Sequence, residues 1–523
     1  MKRSIGAVVA GAAAIALTLV GCSGTGGGGS TGGTLSYAIS ADPGKINPIT
    51  NATQAGEEVA AFTYESLVSF PPGKDAEGLI AEKWTETPTS VTFTLKQGVL
   101  CSDGKPLTAD DVKATFAYAA DEKTGSPYKG VYFPASGMTV AADDAARTVT
   151  FTTDKPQSFL VSTIGALPIV CASGLADPSS LDTKAFGTGP YVLDSSSPGQ
   201  TYSFTLRKDY TWGPGGVTST TKGLPQTVDM QVVTSASTQA NMLQSGELQY
   251  GAVAGTERDR LKAGDYTTLD VPLRPGLLFF NQAEGRPGHD LAVREAIAQA
   301  IDRKSVGEVS SAGRGKVLNT LISDFGSACT AMDSSASIPG FDLKAAATAL
   351  DAAGWKAGSD GIREKDGKKL SLKILYPAKE GQSTTAAIEL LQQELAKAGI
   401  DAQPAPSGSY TDVIFQGGDW DLVWAPIYTS LPSDWQGILS GEFPPNGGNW
   451  TYNTNQQYFD LAAKAQTIAG DASCGTWEQA QNSLFSNLEV LPISSSTTTL
   501  YGKGLTFGLS KTVIAPTTLR LTK

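Results

Sequence analysis

The chain has 523 residues and a formal net charge of −11 at pH 7, and its 40% hydrophobic and 17% charged residues are typical of a soluble globular protein. The acidic balance, together with the lack of clustered Lys and Arg, argues against nucleic acid and anionic lipid as partners. About 490 residues follow the N-terminal segment described next, too many for one hydrophobic core, which predicts two or three domains or lobes.

The chain begins with the pattern of a secretory signal. Lys2 and Arg3 precede an apolar run over residues 5–20, which is too short to favour a membrane-spanning helix. The run ends in Leu-Val-Gly-Cys, which resembles the bacterial lipoprotein lipobox. Residues 1–21 are therefore predicted to be a lipoprotein signal peptide, and Cys22 the lipidated first residue of the mature protein. The alternative is an ordinary signal peptide followed by an incidental cysteine.

Residues 23–33 contain only Ser, Gly and Thr and cannot bury apolar area. We expect residues 22–33 to form a lipidated cysteine and a flexible tether with a reach of roughly 18 Å. Acyl chains on Cys22 would hold the protein at the outer surface of a membrane, so it would work outside the cytoplasm.

From Thr34 to about Asp270 the chain is rich in strand signals. Apolar and polar residues alternate with the period of a half-buried strand at residues 91–95, 148–151 and 202–206. Between these strands, Thr108 is placed to cap a helix, and an acidic residue three positions later suits the capping box.

From about residue 272 to residue 490 the sequence becomes more helical. Asp342 is predicted to cap a helix that runs through Ala353 and ends at Gly354. Strand patterns at residues 370–375 and 422–424 alternate with such helices, which predicts an α/β fold. One apolar stripe at helical spacing consists of Val293, Ala296, Ile297, Ala300 and Ile301. The segment from residue 492 onward returns to Thr-rich, strand-like sequence.

Catalytic and metal chemistry finds little support in the sequence. His289 is the only histidine and lies in a polar, turn-rich stretch, so neither a Ser-His-Asp triad nor a zinc site can be assembled convincingly. The GxSxG elbow and the phosphate-binding P-loop are absent. Acidic residues are numerous enough for carboxylate-only catalysis, which stays open as an alternative. We predict that the protein is not an enzyme and carries no cofactor or metal.

The cysteines other than Cys22 point to disulfides. An even number of cysteines in an oxidising compartment predicts two bridges, with three possible connectivities. Four reduced, buried thiols are the alternative. The residues concerned are Cys101, Cys171, Cys329 and Cys474.

A series of collinear segments resembles the large solute-binding proteins of ABC importers, family 5, the oligopeptide-, dipeptide- and nickel-binding type. The block SDGKPLTADDV at residues 102–112 is the most specific match. The resemblance runs through nearly the whole mature chain and implies an α/β, periplasmic-binding-protein type II-like fold with two lobes, a hinge and an interlobe cleft. The other matching segments are residues 42–48, 64–67, 81–84, 93–99, 187–191, 207–210, 243–247, 280–281, 293–303, 341–342 and 352–355.

The resemblance implies that lobe I comprises residues 34–270 and 491–523, and lobe II residues 271–490. The preferred cysteine pairing is then Cys101–Cys171 and Cys329–Cys474, because each bridge falls within one lobe. A bridge between the lobes would oppose closure about the hinge, on which ligand recognition depends.

In peptide-binding members of the family, an aspartate of lobe II holds the α-ammonium of the peptide shortly after a Tyr/Trp-Asp pair. Here the pair is Trp420-Asp421, and the position of the aspartate falls near Ser430, so the sequence departs from the pattern. Either Asp434 supplies the charge from a shifted loop, or the charge is missing and Asp434 is a solvated loop residue. A buried ammonium without a carboxylate would be costly.

Aromatic residues in this region suit a cleft that accepts varied side chains, although Trp420 and Trp424 are predicted to pack within lobe II. Lys379 lies near the place where dipeptide-binding members have a cation for the ligand carboxylate. The predicted ligand-binding residues are Tyr428, Ser430, Asp434, Trp435 and Lys379 of lobe II and Asn51 and Thr53 of lobe I.

The resemblance implies a monomeric, lipid-anchored receptor that captures peptides outside the cytoplasmic membrane and delivers them to the permease of an ABC importer. A second hypothesis keeps the transport role but replaces the peptide with a sugar, a metal chelate or a glycolipid fragment. A third makes the protein a non-transport envelope scaffold or regulatory lipoprotein on the same fold. The departure at Ser430 favours the second and third.

Overall fold

The computed structural model of the protein describes residues 32–323, 325–379, 381–427 and 429–522, with the backbone alone for residues 273–275. The predicted signal peptide, Cys22 and all but the last two residues of the predicted tether lie outside these ranges. Within them, no helix combines the length and the apolar character needed to cross a membrane.

The part of the chain that precedes residue 267 contributes strands to three sheets, with helices between the strands. The strands are β1 (Gly32–Ile39), β2 (Val68–Ser69), β3 (Glu77–Gly78), β4 (Ala81–Thr87), β5 (Ser90–Leu95), β6 (Met138–Asp143), β7 (Thr148–Thr153), β8 (Tyr191–Ser197), β9 (Thr201–Leu206), β10 (Pro225–Val232) and β11 (Tyr250–Val253). The helices are α1 (Gln54–Thr63), α2 (Ala109–Ala120), α3 (Leu160–Ile164), α4 (Ala172–Leu175) and α5 (Ala236–Ser245).

The later part of the chain is richer in helix, as the sequence predicts. Its strands are β12 (Thr267–Phe280), β13 (Lys356–Ala357), β14 (Arg363–Lys365), β15 (Lys368–Lys369), β16 (Ser371–Pro377), β17 (Asp401–Ser407), β18 (Leu422–Ala425), β19 (Val490–Gly502), β20 (Leu505–Thr506), β21 (Leu509–Ser510), β22 (Val513–Ile514) and β23 (Arg520–Leu521). Its helices are α6 (Leu291–Ala300), α7 (Arg303–Ser310), α8 (Leu343–Ala352), α9 (Gln382–Lys397), α10 (Tyr410–Phe415), α11 (Gln436–Leu439), α12 (Gln456–Gln466) and α13 (Cys474–Ser486).

Short sequence signals, namely helix caps and the alternation of apolar and polar residues, account for several of these elements. Thr108 caps α2 through a complete capping box with Asp111. Asp342 caps α8 by accepting from two backbone N–H groups, and the chain leaves the helix at Gly354 with a φ of +87°. The strands predicted from alternation at residues 91–95, 148–151 and 202–206 are confirmed as β5, β7 and β9.

One ten-stranded sheet organises the molecule, in the order β17-β16-β18-β12-β19-β11-β1-β10-β9-β8. The strand β1 pairs in parallel with β10 and begins at Gly32, two residues earlier than the predicted start of the globular part. A glycine is required there, because a Cβ at Gly32 would lie 2.2 Å from the carbonyl oxygen of Leu224. The last two residues of the predicted tether therefore belong to the sheet.

The strands β12 and β19 lie at the centre of this sheet and run antiparallel to each other along their whole length. The second half of β19 pairs with β11 on the lobe I side, and the second half of β12 pairs with β18 on the lobe II side. Along their whole length, β12 and β19 pair with each other. Irregularities in the pairing fall between Pro272 and Leu277, opposite residues 492–497. Two adjacent, locally irregular strands thus connect the two sides of the sheet.

Apolar clusters cover both faces of the lobe II half of the sheet. Leu278 and Phe280 of β12 belong to one cluster, with α6, α8 and α9, whereas Leu277 and Phe279 belong to another, with α12 and α13. Such alternation follows from the two-residue period of a strand. In lobe I, a separate cluster lies over the four-stranded sheet β4-β5-β7-β6.

A short segment of lobe I reaches into lobe II. The Ser158 hydroxyl donates to the carbonyl oxygen of Ala465 at 2.8 Å and accepts from the indole N–H of Trp477 at 3.1 Å. The neighbouring Phe159 ring, 3% exposed, belongs to a lobe II cluster and stacks on Trp477. The lobes are therefore joined by a packed contact as well as by β12 and β19.

The four cysteines that follow Cys22 form two disulfides, Cys101–Cys171 and Cys329–Cys474. These are the pairs preferred from the sequence. With the lobe boundaries predicted from the sequence, each bridge would join residues of a single lobe and neither would tie the two lobes together.

Candidate ligand-binding cavity

A cavity of about 640 Å³ lies between the two lobes. Its volume falls within the range of about 300–1,000 Å³ that is usual for small-molecule sites. The cavity is lined on the lobe I side by α1, residues around 64–79, Tyr128, Tyr132, α3 and residues 508–518, and on the lobe II side by residues 429–434.

The lobe II wall ends in a short 3₁₀ turn, Pro432–Trp435, which carries Asp434. The Asp434 carboxylate accepts from the backbone N–H of Leu431 at 3.1 Å, so the turn itself fixes the side chain. Asp434 is open to the cavity, but the surrounding walls keep bulk water away, and this desolvation raises the pKa of Asp434 to about 6. The N–H groups of Leu431 and Ser430 and the charge of Lys511 act in the opposite direction.

The lobe I wall contributes a second acid, Glu57, from the first turn of α1. The side chain is half-buried, and burial raises the pKa of Glu57, whereas the charge of Lys511 and the Tyr128 hydroxyl lower it. The Tyr128 hydroxyl lies 3.5 Å from the Glu57 carboxylate and 3.2 Å from the carbonyl oxygen of Asn51. The positive end of the α1 dipole also favours an anion at this position.

A cation faces the same cavity from the C-terminal hairpin, which we define as β21, β22 and the turn between them. Lys511 occupies that turn and is half-buried. Its ammonium lies 4.4 Å from the centre of the Tyr132 ring and 5.5 Å from that of Phe70. Two carboxyl groups and one ammonium thus share one enclosed space, which suits a ligand with a cationic nitrogen.

Three of the sequence-predicted site residues line the cavity, namely Ser430, Asp434 and Asn51. The Asn51 amide donates to the carbonyl oxygens of Pro43 and Lys45, and so its side chain holds a loop together. Asp434 does lie at the cavity, which agrees with the shifted-loop alternative for the family's aspartate. Tyr428 lies outside the described residues.

Three others are placed elsewhere. The Trp435 ring is 2% exposed and packs against Phe279, because successive side chains in a 3₁₀ turn point about 120° apart and Asp434 already faces the cavity. The Thr53 hydroxyl is occupied as the N-cap of α1. Lys379 is exposed in the turn after β16 and does not line the cavity. The expectation that these side chains face the cleft is therefore wrong for this structure.

The Trp420-Asp421 pair that led to Ser430 has structural contacts. Trp420 and Trp424 are buried, as predicted. Asp421 accepts from the backbone N–H of Lys373 at 2.9 Å and forms an ion pair with Arg286 at 3.4 Å. The sequence reasoning missed Glu57, Tyr128, Tyr132 and Lys511, which come together only through tertiary packing.

One group of potential metal ligands occurs in the described part of the chain, consisting of Cys329, Asp471 and Cys474. The two sulfur atoms are bonded to each other, so they offer no thiolates to a metal. The donor atoms at this place do not fit a metal centre.

Comparison with known proteins identifies a shared family. Residues 75–449 match the family model described as bacterial extracellular solute-binding proteins, family 5. Protein XP55 of Streptomyces lividans is 29% identical over 441 residues, which are 79% of this chain and 73% of that protein. The nickel-binding periplasmic protein of Escherichia coli K12 is 25% identical over 65% of each chain.

The fold is also that of solved structures. The oligopeptide-binding protein AppA from Bacillus subtilis, solved in complex with a nonapeptide, is 20% identical, with a TM-score of 0.69 over 95% of this chain and all of that one. At this level of identity the likeness concerns the fold, which is the two-lobed type II-like α/β architecture expected from the sequence.

Proposed function

The chain belongs to the bacterial extracellular solute-binding proteins of family 5, and from this membership we propose that it is a monomeric, lipid-anchored peptide receptor. Proteins of this family bind solutes outside the cytoplasm for ABC importers and are not enzymes. In the proposal, the receptor captures a peptide between lobe I, residues 34–270 and 491–523, and lobe II, residues 271–490. It then presents the closed form to its permease.

One observation carries the choice of a peptide, namely the Asp434 carboxylate in the wall of the interlobe cavity. An α-ammonium transferred from water needs a carboxylate partner, because an unpaired buried charge is strongly unfavourable. Glu57 adds negative potential from the facing lobe. A solved relative holds a nonapeptide, which is consistent with this choice.

The direct test is native mass spectrometry on the mature chain from residue 23, followed by denaturation and identification of the molecules released. We expect a set of co-purified peptides with free amino termini. A protein that is free of ligand, and that also fails to respond to a peptide library in thermal-shift assays, would contradict the peptide assignment and favour a scaffold.

A non-peptide solute is the second candidate, because one relative is a nickel-binding protein and because Ser430 occupies the position of the family's aspartate. The same mass spectrometry distinguishes the two candidates. If every preparation releases one defined non-peptide molecule, that molecule is the ligand, and the proposed transport role is unchanged.

The anchoring part of the proposal rests on the lipobox at residues 19–22. Cells grown with an alkyne-bearing fatty acid should label the wild-type protein, because its Cys22 would be acylated, and should not label Cys22→Ser. Equal labelling of the two proteins, or none of either, would rule out Cys22 as the anchor. Replacement of Ser23 by Ala serves as the matched control and should leave labelling unchanged.

A further inference from the structure

The segment between β7 and α3 places one serine of lobe I entirely among residues of lobe II. Ser158 has no exposed surface. Its backbone N–H donates to the side-chain oxygen of Gln466 at 2.7 Å, and its carbonyl oxygen accepts from the backbone N–H of Gly470. Its hydroxyl is bonded to the carbonyl oxygen of Ala465 and the indole N–H of Trp477. The backbone groups and the hydroxyl of Ser158 therefore all have their partners in the other lobe.

This contact is small and noncovalent, unlike the connection through β12 and β19. Its partners on lobe II lie at the end of α12, in the turn that follows and in the first turns of α13. Water can replace each of the hydrogen bonds, and for this reason a protein hydrogen bond contributes only a small net free energy. The contact can therefore separate without the loss of any strand from the central sheet.

The same segment continues directly into the wall of the cavity. Ser162 and Thr163 of α3 line the cavity, whereas Ser158 and Phe159 do not. The backbone N–H of Thr163 donates to the carbonyl oxygen of Phe159 at 3.0 Å, so one helical turn links the cavity wall to the residues seated in lobe II. A movement of α3 relative to lobe II thus changes the cavity and this contact together.

We propose that Ser158 and Phe159 form a latch, which is seated in lobe II when the lobes are closed and is released when they open. This inference rests on the peptide-receptor proposal, in which the lobes close over the solute, and it names residues that regulate closure without touching the solute. The apparent affinity of a ligand is reduced by the fraction of protein in the binding-competent form. A latch that stabilises the closed form therefore strengthens binding from outside the cavity.

The test begins with Ser158→Ala. In the closed form this variant leaves the buried indole N–H of Trp477 without the serine oxygen, whereas in the open form water reaches that group, so the closed form alone is destabilised. We expect the dissociation constant for a pool of tripeptides and pentapeptides with free ends, measured by calorimetry, to increase about tenfold. The radius of gyration of the ligand-free variant, measured by small-angle X-ray scattering, should exceed that of the wild-type protein.

Hydrogen exchange reports on the latch directly, because the backbone N–H of Gly470 donates to the carbonyl oxygen of Ser158. In the ligand-free protein this amide should exchange about tenfold or more faster in Ser158→Ala than in the wild-type protein. The amides of Phe151 in β7 and Leu484 in α13, each inside one lobe, should change much less. Addition of the peptide pool should slow exchange at Gly470 in the wild-type protein.

The matched control is Ser483→Ala. Ser483 is a buried serine of α13, the helix that carries Trp477, but its hydroxyl is bonded to the side chain of Asn455 within lobe II and does not line the cavity. This variant should keep the wild-type affinity for the pool, the wild-type radius of gyration and the wild-type exchange at Gly470.

The outcomes separate the latch from the function. If Ser158→Ala changes neither the radius of gyration nor the exchange at Gly470, the contact is a permanent part of the fold and the inference is overturned. It is also overturned if Gly470 exchanges as slowly as Phe151 and Leu484 in both proteins. If the wild-type protein binds no peptide of the pool, the peptide-receptor proposal fails, while scattering and exchange on the ligand-free proteins still decide whether the latch exists.

Discussion

Asp434 shows how a single side chain acquires its chemistry from its surroundings. The walls of the cavity raise its pKa to about 6 by desolvation. Its ionised form is the one that attracts an ammonium. The protonation of Asp434 thus changes the charge of a site to which Glu57 and Lys511 also contribute.

We therefore expect the dissociation constant for a free-amine peptide to increase about tenfold as the pH falls from 7 to 5, because the ionised fraction of a group with a pKa of about 6 falls by that factor. Calorimetric titrations across this pH range measure the change in the dissociation constant. Asp434→Asn should bind weakly at every pH, and any pH dependence that it retains reports on Glu57, whose pKa is also raised. Asp460→Asn, on the exposed face of α12, should behave like the wild-type protein.

Glu489 is a buried acidic residue that does not line the cavity. It is 2% exposed, and one carboxylate oxygen has no hydrogen-bond partner among the residues that the structure describes. Burial raises its pKa from 4.5 to about 8, although the charge of Arg294 acts in the opposite direction. The unfolded state would ionise near pH 4.5 and the folded state only near pH 8. Glu489 therefore favours folding fully below pH 4.5, and this contribution is lost as the pH rises to about 8.

Glu489→Gln should flatten the dependence of stability on pH. We expect the decline in unfolding free energy between pH 4.5 and 8 to become shallower, by up to about 1.4 kcal/mol per pH unit. Urea unfolding at a series of pH values measures the slope. An unchanged slope would show that Glu489 is ionised in the folded protein at neutral pH.

At the scale of elements, the segment around Ser158 and Phe159 couples the lobes by packing. Phe159→Ala should lower the unfolding free energy by about 3–5 kcal/mol, since it removes an aromatic ring from a buried cluster. Chemical denaturation measures the change. Phe341→Ala, whose side chain is 51% exposed, is the control and should change it by less than about 0.5 kcal/mol. A similarly small effect for Phe159→Ala would mean that the free protein lacks this contact.

Elements were predictable from the sequence where their signals are local. The capping box at Thr108, the glycine after α8 and the alternation in β5 each act over a few residues, and each prediction is confirmed. The site was predictable only in part. Counting from the Trp-Asp pair leads to Ser430, with Asp434 as the shifted-loop alternative, whereas the orientation of Trp435 depends on the tertiary packing of a turn. No local sequence pattern marks Lys511 as a site residue, because it is held at the cavity by contact with Phe70, which lies 441 residues away in the chain.

At the scale of the whole molecule, β12 and β19 carry the covalent connection between lobes, and the disulfides do not. The pairing irregularities in the middle of the two strands are the place where a change of lobe orientation would meet least resistance. Ligand-driven closure should therefore depend on these strands and on the contact at Phe159, and should not depend on the cysteines.

Replacing both Cys329 and Cys474 by Ser should destabilise lobe II by up to about 4–5 kcal/mol, because the bridge closes a loop of 145 residues. Ligand-induced compaction, measured as the decrease in radius of gyration by small-angle X-ray scattering, should persist in this variant. Loss of compaction with the fold intact would show that the bridge transmits closure.

The order of the chain has a consequence for the assembly of the cavity. Lobe I is built from two stretches separated by the whole of lobe II, and the second half of β19 and the hairpin that carries Lys511 come last. A nascent chain that has emerged only as far as lobe II lacks the strand beside β11 and one wall of the cavity. The cavity is therefore complete only when these final strands have joined the sheet, so a chain that lacks them has no closed site for a solute.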